Sequence, residues 1–519
     1  MNYPQNAGET RYDFIVCGAG PSGSAVAARL AENLRFNVLL IEAGGNDEVP
    51  EVMTPAQWPL NLGSERDWGF AAQPNPHLNN RAIPLNMGKV LGGSSSINVM
   101  VWARGHKNDW EYFAQEAQDN GWGYESVLAI YQRIENWQGA PDATRRGVGG
   151  PVYVQTAREP KPVAIAMLEA ARSMGIPVFD SPNGMMMEGR GGVALNDLII
   201  RNGRRSSIFR AYVFPKLSQP NITVLTHTLV SKLILRGTTV VGVEVIQASQ
   251  RKCYMADREV ILSMGAINTP KVLMQSGIGP EAELNRHGIP IAEHLPGVGL
   301  NHQDHVSFGC IFESHEPQAV GHGGSEATLY WKTDAGMSLP DLFHCQLEFP
   351  VATPETSSRG VPQNGWMTFA GLSHPKSRGS VHLCGADVND SVRIEANTLS
   401  HPDDIKAAFA SIDLSRQMAA SDPFKTLVKR EAMPGQLDAG SMEEYVRDAA
   451  VTFWHQSGTA KMGHDSMSVV DGKLKVYGID RLRIADASIM PSVTSGNTMA
   501  PCVVIGERAA QILGAAHRI

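Results

Sequence analysis

The stretch Tyr12-Asp13-Phe14-Ile15-Val16-Cys17-Gly18-Ala19-Gly20-Pro21-Ser22-Gly23 decides the fold. Its first half is a short apolar run of β-favouring residues. Its second half is a Gly-x-Gly-x-x-Gly turn that opens an alanine-rich helical stretch ending near Asn33. A second apolar run, Asn37-Val38-Leu39-Leu40-Ile41, completes a strand–helix–strand unit and leads into Glu42-Ala43-Gly44-Gly45. Each part has a physical task. Gly18 permits the tight bend, Gly20 lets backbone approach a pyrophosphate, and Gly23 lets helix and strand pack closely. Ala19, Pro21 and Ser22 complete a loop whose helix N-terminus offers free N–H groups to phosphate. Glu42, 19 positions beyond Gly23 with Ala43 beside it, is placed to accept the hydroxyls of an adenosine ribose. The segment therefore predicts dinucleotide binding.

Working outward, a chain of 519 residues is too long for one ordinary core and predicts two structural domains. With 43% hydrophobic and 19% charged residues and no long apolar run, the composition is that of a soluble globular protein without a membrane span. The net charge of -7 arises from interspersed acids and bases, which leaves no basic surface for nucleic acid. Six scattered cysteines without a CxxC pair fit neither a disulfide scaffold nor a zinc site, and no metal is expected. The polar segment Met1 to Arg11 lacks an apolar signal core, so the expected location is cytoplasmic.

Further strand–turn–helix punctuation follows. Gly88 to Ser96, Gly-Lys-Val-Leu-Gly-Gly-Ser-Ser-Ser, is a second glycine and hydroxyl cluster of the kind that lies against a flat or anionic ligand. Glu259 to Leu262 reads as a strand, followed by Gly265-Ala266-Ile267-Asn268-Thr269-Pro270 and a helix over Lys271 to Ser276. Near the end, Leu482 to Asp486 reads as a strand and Val503 to Leu513 as an amphipathic helix. Between about 311 and 450, alternating runs such as Leu342-Phe343-His344-Cys345-Gln346-Leu347-Glu348 suggest an antiparallel sheet. The fold class expected is α/β: a Rossmann-like dinucleotide-binding domain over 10–155, 195–310 and 455–519. Into it is inserted an α+β substrate-binding domain over 156–194 and 311–454, built on a mostly antiparallel sheet.

Taken together, these motifs resemble the glucose-methanol-choline (GMC) oxidoreductases from about Tyr12 to Leu513. The Gly88–Ser96 cluster with Ile97-Asn98 is similar to the family's first signature, and Gly265 to Pro280 to its second. Trp454-His455-Gln456-Ser457-Gly458-Thr459-Ala460-Lys461-Met462-Gly463 resembles the catalytic histidine segment, and Asp486 to Pro491 with Ser495-Gly496-Asn497-Thr498 the C-terminal flavin segment. The resemblance implies FAD rather than NAD. It puts Asn98 by the flavin ring, Val90, Gly93 and Met100 among the cofactor-binding residues, Asp486 and Ala487 at the ribityl-pyrophosphate region, and Val230 and Trp68 on the adenine side. Some members bond flavin covalently through a histidine where this chain has Ile97, so non-covalent FAD is expected. Met87 and Val99 also depart from the pattern, at arginine and glycine positions.

Oxidising an alcohol at a flavin requires a base for the hydroxyl proton and a polar group to hold the oxygen, while hydride leaves carbon. The resemblance implies that His455 and Asn497 form this pair, with Phe453 and Trp454 lining the substrate side. His302 and His305 flank Asp304 at a metal-like spacing, but the segment resembles a structural stretch of the family. The expected reaction is oxidation of a primary alcohol to an aldehyde, with aromatic or heteroaromatic alcohols slightly favoured and oxygen or a quinone as acceptor. Oxidation of choline, aliphatic alcohols or sugars remains open, as does a lyase or photodecarboxylase on the same scaffold.

Overall fold

The computed structural model describes residues 10–518. Five parallel strands end on one row. Leu225, Ile41, Cys17, Leu262 and Ile484 are register partners in that order across Ile222–Leu225, Val38–Ile41, Thr10–Cys17, Gln250–Leu262 and Leu482–Ile484. Strands Thr239–Gln247 and Thr228–Arg236 extend this sheet antiparallel from Gln250–Leu262. Phe14 to Cys17 and Val38 to Leu40 are wholly buried, as expected of parallel strands covered on both faces. Helix Pro21–Leu30 packs against the C-terminal helix Met499–His517. Because the five carboxyl ends are aligned, the turns that leave them converge on one edge of the sheet, where α/β folds bind ligands.

The 311–450 region carries the antiparallel sheet its alternating runs suggest. Strand order is Val428–Met433, Val306–Ser314, Gly365–Leu372, Leu342–Leu347, Ala327–Trp331, Gly191–Leu195, with short Ala450–Thr452 also pairing to Val306–Ser314. Helices Pro162–Ser173 and Pro402–Ala419 cover it. Its core is a separate apolar cluster, and Ala72, Leu78, Ile83 and Leu85 pack there too, although the sequence reading groups them with the nucleotide-binding segments.

Element ends differ from the sequence reading in physically legible ways. The helix expected from Lys271 begins at Gly265, with Pro270 inside it. Proline cannot donate to the carbonyl four residues back. The Thr459 hydroxyl takes that place, donating to the Ala266 carbonyl at 2.5 Å. The strand expected to reach Asp486 stops at Ile484, because the Asp486 side chain caps the turn Ala487–Ile489. The last helix runs from Met499 to His517, beyond the expected Val503 to Leu513.

Candidate active site

A cavity of about 1670 Å³, mouth included, opens at the aligned strand ends and reaches the antiparallel sheet. Its nucleotide end is built from the turns that leave the five strands. Gly18, Gly20, Pro21, Ser22, Glu42, Ala43, Asp486 and Ala487 line it, together with Gly93, Asn98, Trp68 and Val230. A Cβ on Gly20 would meet nothing within 4 Å, so the backbone there stays open to a ligand. On Gly93 it would stand 2.8 Å from the Gly20 Cα and fill the cradle. At Gly18, which has φ +102°, it would strike the Ser263 carbonyl at 2.3 Å, and at Gly23 the Gly18 carbonyl at 1.9 Å. The first and third glycines thus serve packing, and the second serves access.

Glu42 is buried, and desolvation raises its pKa to about 7. Its two oxygens accept from the Ala19 amide at 3.0 Å and the Gly44 amide at 2.9 Å. One lone pair on each remains for a ribose hydroxyl. Asp486 is more fully used. It accepts from the Gly265 amide and Thr269 hydroxyl on one oxygen, and from the Ser488 amide and hydroxyl on the other. Its carboxylate clamps the second signature helix to the C-terminal segment.

Four residues expected at the cofactor do not line the cavity: Ala19, Gly23, Val90 and Met100. Ala19 acts through its amide on Glu42, and Gly23 through packing. Val90 bridges Gly45, and Met100 is fully buried with φ +60°, its amide donating to the Asn98 side-chain oxygen at 3.0 Å. They shape the loops that do line it.

At the other end, His455 and Asn497 meet. The Asn497 Nδ2 lies 3.3 Å from the His455 Nε2, and the other ring nitrogen of His455 lies 2.8 Å from His305 Nδ1. Phe453 stacks on His455, ring centroids 5.8 Å apart and planes 6° from parallel. Burial lowers the His455 pKa to about 3, so the ring is neutral near pH 7. Asp304 anchors the segment by accepting from the His455 amide at 2.8 Å, from the Gln456 side chain at 3.0 Å and from the Thr452 hydroxyl. The intervening Trp454 has φ +60° and is held by its amide on Thr452 and its indole N–H on Asn86 at 3.0 Å. Such left-handed backbone at a bulky residue persists only when its surroundings fix it.

The wall facing this pair is aromatic and aliphatic. Trp58, Leu62, Met87, Leu347, Phe369, Phe453 and Trp454 line it, with Ser325 and Cys345. Trp58 and Trp454 meet edge to face at 6.4 Å. The lining carboxylates are Glu42 and Asp486, both at the nucleotide end. Sequence reading found Phe453 and Trp454 but missed Trp58, Leu347 and Phe369, which carry no motif and reach the cavity only by folding. It also set aside the Asp304–His305 segment, where Asp304 holds the catalytic-segment backbone and His305 holds the His455 ring.

Two family models described as GMC oxidoreductase match the chain, over residues 12–307 and 375–506. The chain belongs to the GMC oxidoreductases. As a GMC oxidoreductase it binds FAD and acts on the CH–OH group of an alcohol. It is 37% identical to an oxygen-dependent choline dehydrogenase of Brucella suis biovar 1 (strain 1330), over 97% of this chain and 95% of the relative. Among solved structures it is similar to pyridoxine 4-oxidase from Mesorbium loti, at 31% identity and a TM-score of 0.92, covering 98% of this chain and 99% of the other. It is also similar to an FAD-dependent oxidoreductase from Chaetomium thermophilum, at 26% identity and a TM-score of 0.85, covering 98% and 100%. No helix among the described residues is long and apolar enough to cross a membrane.

Proposed function

We propose that this GMC oxidoreductase oxidises a primary alcohol to the aldehyde, with His455 Nε2 taking the hydroxyl proton and Asn497 holding the alcohol oxygen. Bound FAD supplies the hydride acceptor. In this reading the segments 10–155, 195–310 and 455–519 hold FAD, non-covalently because Ile97 offers no bonding atom. The segments 156–194 and 311–454 supply the substrate wall. The observation that carries the reading is the pairing of a neutral, buried imidazole with a side-chain amide 3.3 Å away, at the junction of the nucleotide cleft and an apolar wall. A neutral imidazole accepts a proton, and an amide N–H stabilises the oxygen as negative charge develops.

The favoured substrate is an aromatic or heteroaromatic alcohol. Trp58, Phe369, Phe453 and Trp454 supply flat apolar surface at the His455 end, and no carboxylate among the lining residues stands there to hold a cation. A choline-like alcohol is the second reading. It is supported by the choline dehydrogenase relatives and by the edge-to-face Trp58–Trp454 pair, whose ring faces attract quaternary ammonium. Oxygen is the favoured acceptor, as the relatives are described as oxygen-dependent; a quinone is the alternative.

The test is the visible spectrum of the purified holoenzyme, recorded anaerobically with benzyl-type, pyridine-type, aliphatic, sugar and choline alcohols in turn. Bleaching by the aromatic alcohols at micromolar to low millimolar concentration is expected, with colour returning on admission of air. Bleaching by choline alone would replace the aromatic reading with the cationic one. A bound flavin that no alcohol bleaches would overturn the reaction itself.

A further inference from the structure

Arg205 is one of the largest wholly buried side chains of the molecule. Its Nε donates to the Val52 carbonyl at 2.8 Å, and its Nη1 to the Ser95 carbonyl at 3.2 Å and to Asn98 Oδ1 at 2.9 Å. All three acceptors are neutral. The Nη2 has no protein partner. The carboxylate that acts on it from a distance, Asp47, is already held by Arg210 through two contacts of 2.8 Å. Burial without a matching charge lowers the Arg205 pKa to about 9. A buried, unmatched guanidinium is costly and persists where it serves another charge.

The place of that charge is marked by Asn98. Its amide oxygen accepts from both Arg205 Nη1 and the Met100 amide, which fixes the side chain with its NH2 group facing the other way. That NH2 lies 3.2 Å from the Met499 sulfur, a weak acceptor, and Asn98 lines the same cavity as Asn497, Thr498 and Met499. Through Met499, two positions after Asn497, Asn98 is placed against the segment that carries Asn497. The fit to FAD rests on these facts: an orphaned buried cation, and an amide donor that it polarises, on the wall of the cleft.

We propose that Arg205 is the counter-charge for the negative charge that bound FAD gains on accepting a hydride, acting through the Asn98 amide. A hydride brings two electrons and one proton, so a neutral ring becomes an anion. A fixed cation behind a hydrogen-bond donor stabilises that form in a low-dielectric site. Arg205 is a positioning and electrostatic residue, since it does not itself line the cavity. The inference rests on the reading that the flavin ring lies by Asn98.

Sulfite reports on this charge without turnover, because it adds to an oxidised flavin ring and leaves the ring anionic. The experiment titrates sulfite into FAD-loaded native enzyme and the variants Arg205→Met, Arg205→Gln, Arg205→Lys and Asn98→Ala, following flavin absorbance. The two neutral Arg205 variants should bind sulfite at least about tenfold more weakly, and the lysine variant should stay within about threefold of native. Two neutral side chains are used so that a folding failure of one leaves the other to decide. Native sulfite affinity in either loaded neutral variant overturns the proposal, as does an equal loss in Arg205→Lys. If Asn98→Ala shifts the flavin spectrum or sulfite affinity while the neutral Arg205 variants do not, the ring placement stands and the role of Arg205 falls. If Asn98→Ala changes neither, the ring placement itself is wrong and the proposal falls with it.

Discussion

His305 and His455 face each other Nδ1 to Nδ1 at 2.8 Å, their ring planes 89° apart. Only one proton fits between two such nitrogens. With both rings neutral, His455 can offer a lone pair at Nε2 only when its own proton sits on Nδ1 and is donated to His305. When Nε2 gains a proton, the same bond is made by an imidazolium and strengthens. Burial and the neighbouring His455 keep the His305 pKa well below its ordinary value, so His305 stays the acceptor.

His455→Ala should keep FAD bound while slowing flavin reduction by alcohol about 10²- to 10⁴-fold, the usual worth of a positioned base. His305→Ala should slow the same step by about 10- to 100-fold, because the base remains but its tautomer and orientation are no longer fixed. The double variant should be no slower than His455→Ala, since the two rings act as one unit. Anaerobic stopped-flow reduction measures all three. A native rate in His305→Ala would show that the contact has no part in proton removal.

Glu42→Ala should weaken FAD retention by about 10- to 100-fold, from the loss of charge-assisted hydrogen bonds of roughly 1.5–3 kcal/mol. Part of that loss is indirect. The Ala19 and Gly44 amides, at 3.0 and 2.9 Å, would be left without their acceptor, and the glycine turn would loosen with them. Equilibrium dialysis of the variant after FAD removal gives the affinity. Unchanged retention would remove Glu42 from the cofactor site.

How much of this was legible in sequence follows from how local each signal is. The strand–turn–helix at Tyr12 to Gly23 and the second strand up to Ile41 read correctly because apolar runs and glycine spacing are local properties. The common row Leu225, Ile41, Cys17, Leu262 and Ile484 was not readable, because its members come from segments hundreds of residues apart. His305 was passed over for a related reason. Its segment resembles a structural stretch of the family, and only folding brings it to a ring 150 positions away. Met100 and Val90 show the converse, since proximity to Asn98 and Gly93 in sequence does not by itself put a residue on the cavity wall.

Trp58 and Trp454 belong to different parts of the chain and meet at the substrate end, with the Trp58 indole N–H donating to the Gly323 carbonyl at 2.8 Å. Trp58→Ala should therefore raise KM for aromatic alcohols by about 10- to 100-fold, from roughly 1.5–3 kcal/mol of lost apolar contact, with a smaller change in kcat. Trp454→Phe keeps an apolar ring but loses the 3.0 Å bond to Asn86, in a backbone at φ +60° next to His455. It should lower kcat more than it raises KM. Steady-state kinetics on one aromatic alcohol separate the two, and the same pattern in both variants would contradict the assignment of Trp58 to binding and Trp454 to alignment.

The buried ionisable groups fix the shape of the stability–pH curve. Glu42, Asp109 and Asp304 are each raised to about 7 by desolvation, and Glu348 to about 8. The folded chain holds these protons at pH values where the unfolded chain has released them. Each such group lowers stability as pH rises from its unfolded pKa to its folded one, by up to about 1.4 kcal/mol per pH unit. Burial acts oppositely on histidine. His106 and His302 fall to about 4, and His344, His374 and His455 to about 3, so each lowers stability as pH falls from 6.5 toward those values. Below pH 6.5 the two sets oppose each other, with the imidazoles more numerous; between 6.5 and 8 only the carboxyls act. The thermal midpoint of the holoenzyme should therefore peak near pH 6.5 and decline toward 8. Asp109→Asn isolates one share of that decline. Its amide oxygen can still accept from the His106 and Ser495 amides, both at 2.7 Å, while its NH2 faces His374. The variant should lose less stability than the native enzyme between pH 6.5 and 8. A steeper decline in Asp109→Asn, or a native midpoint that rises across that window, would mean that these carboxyls are ionised in the folded protein.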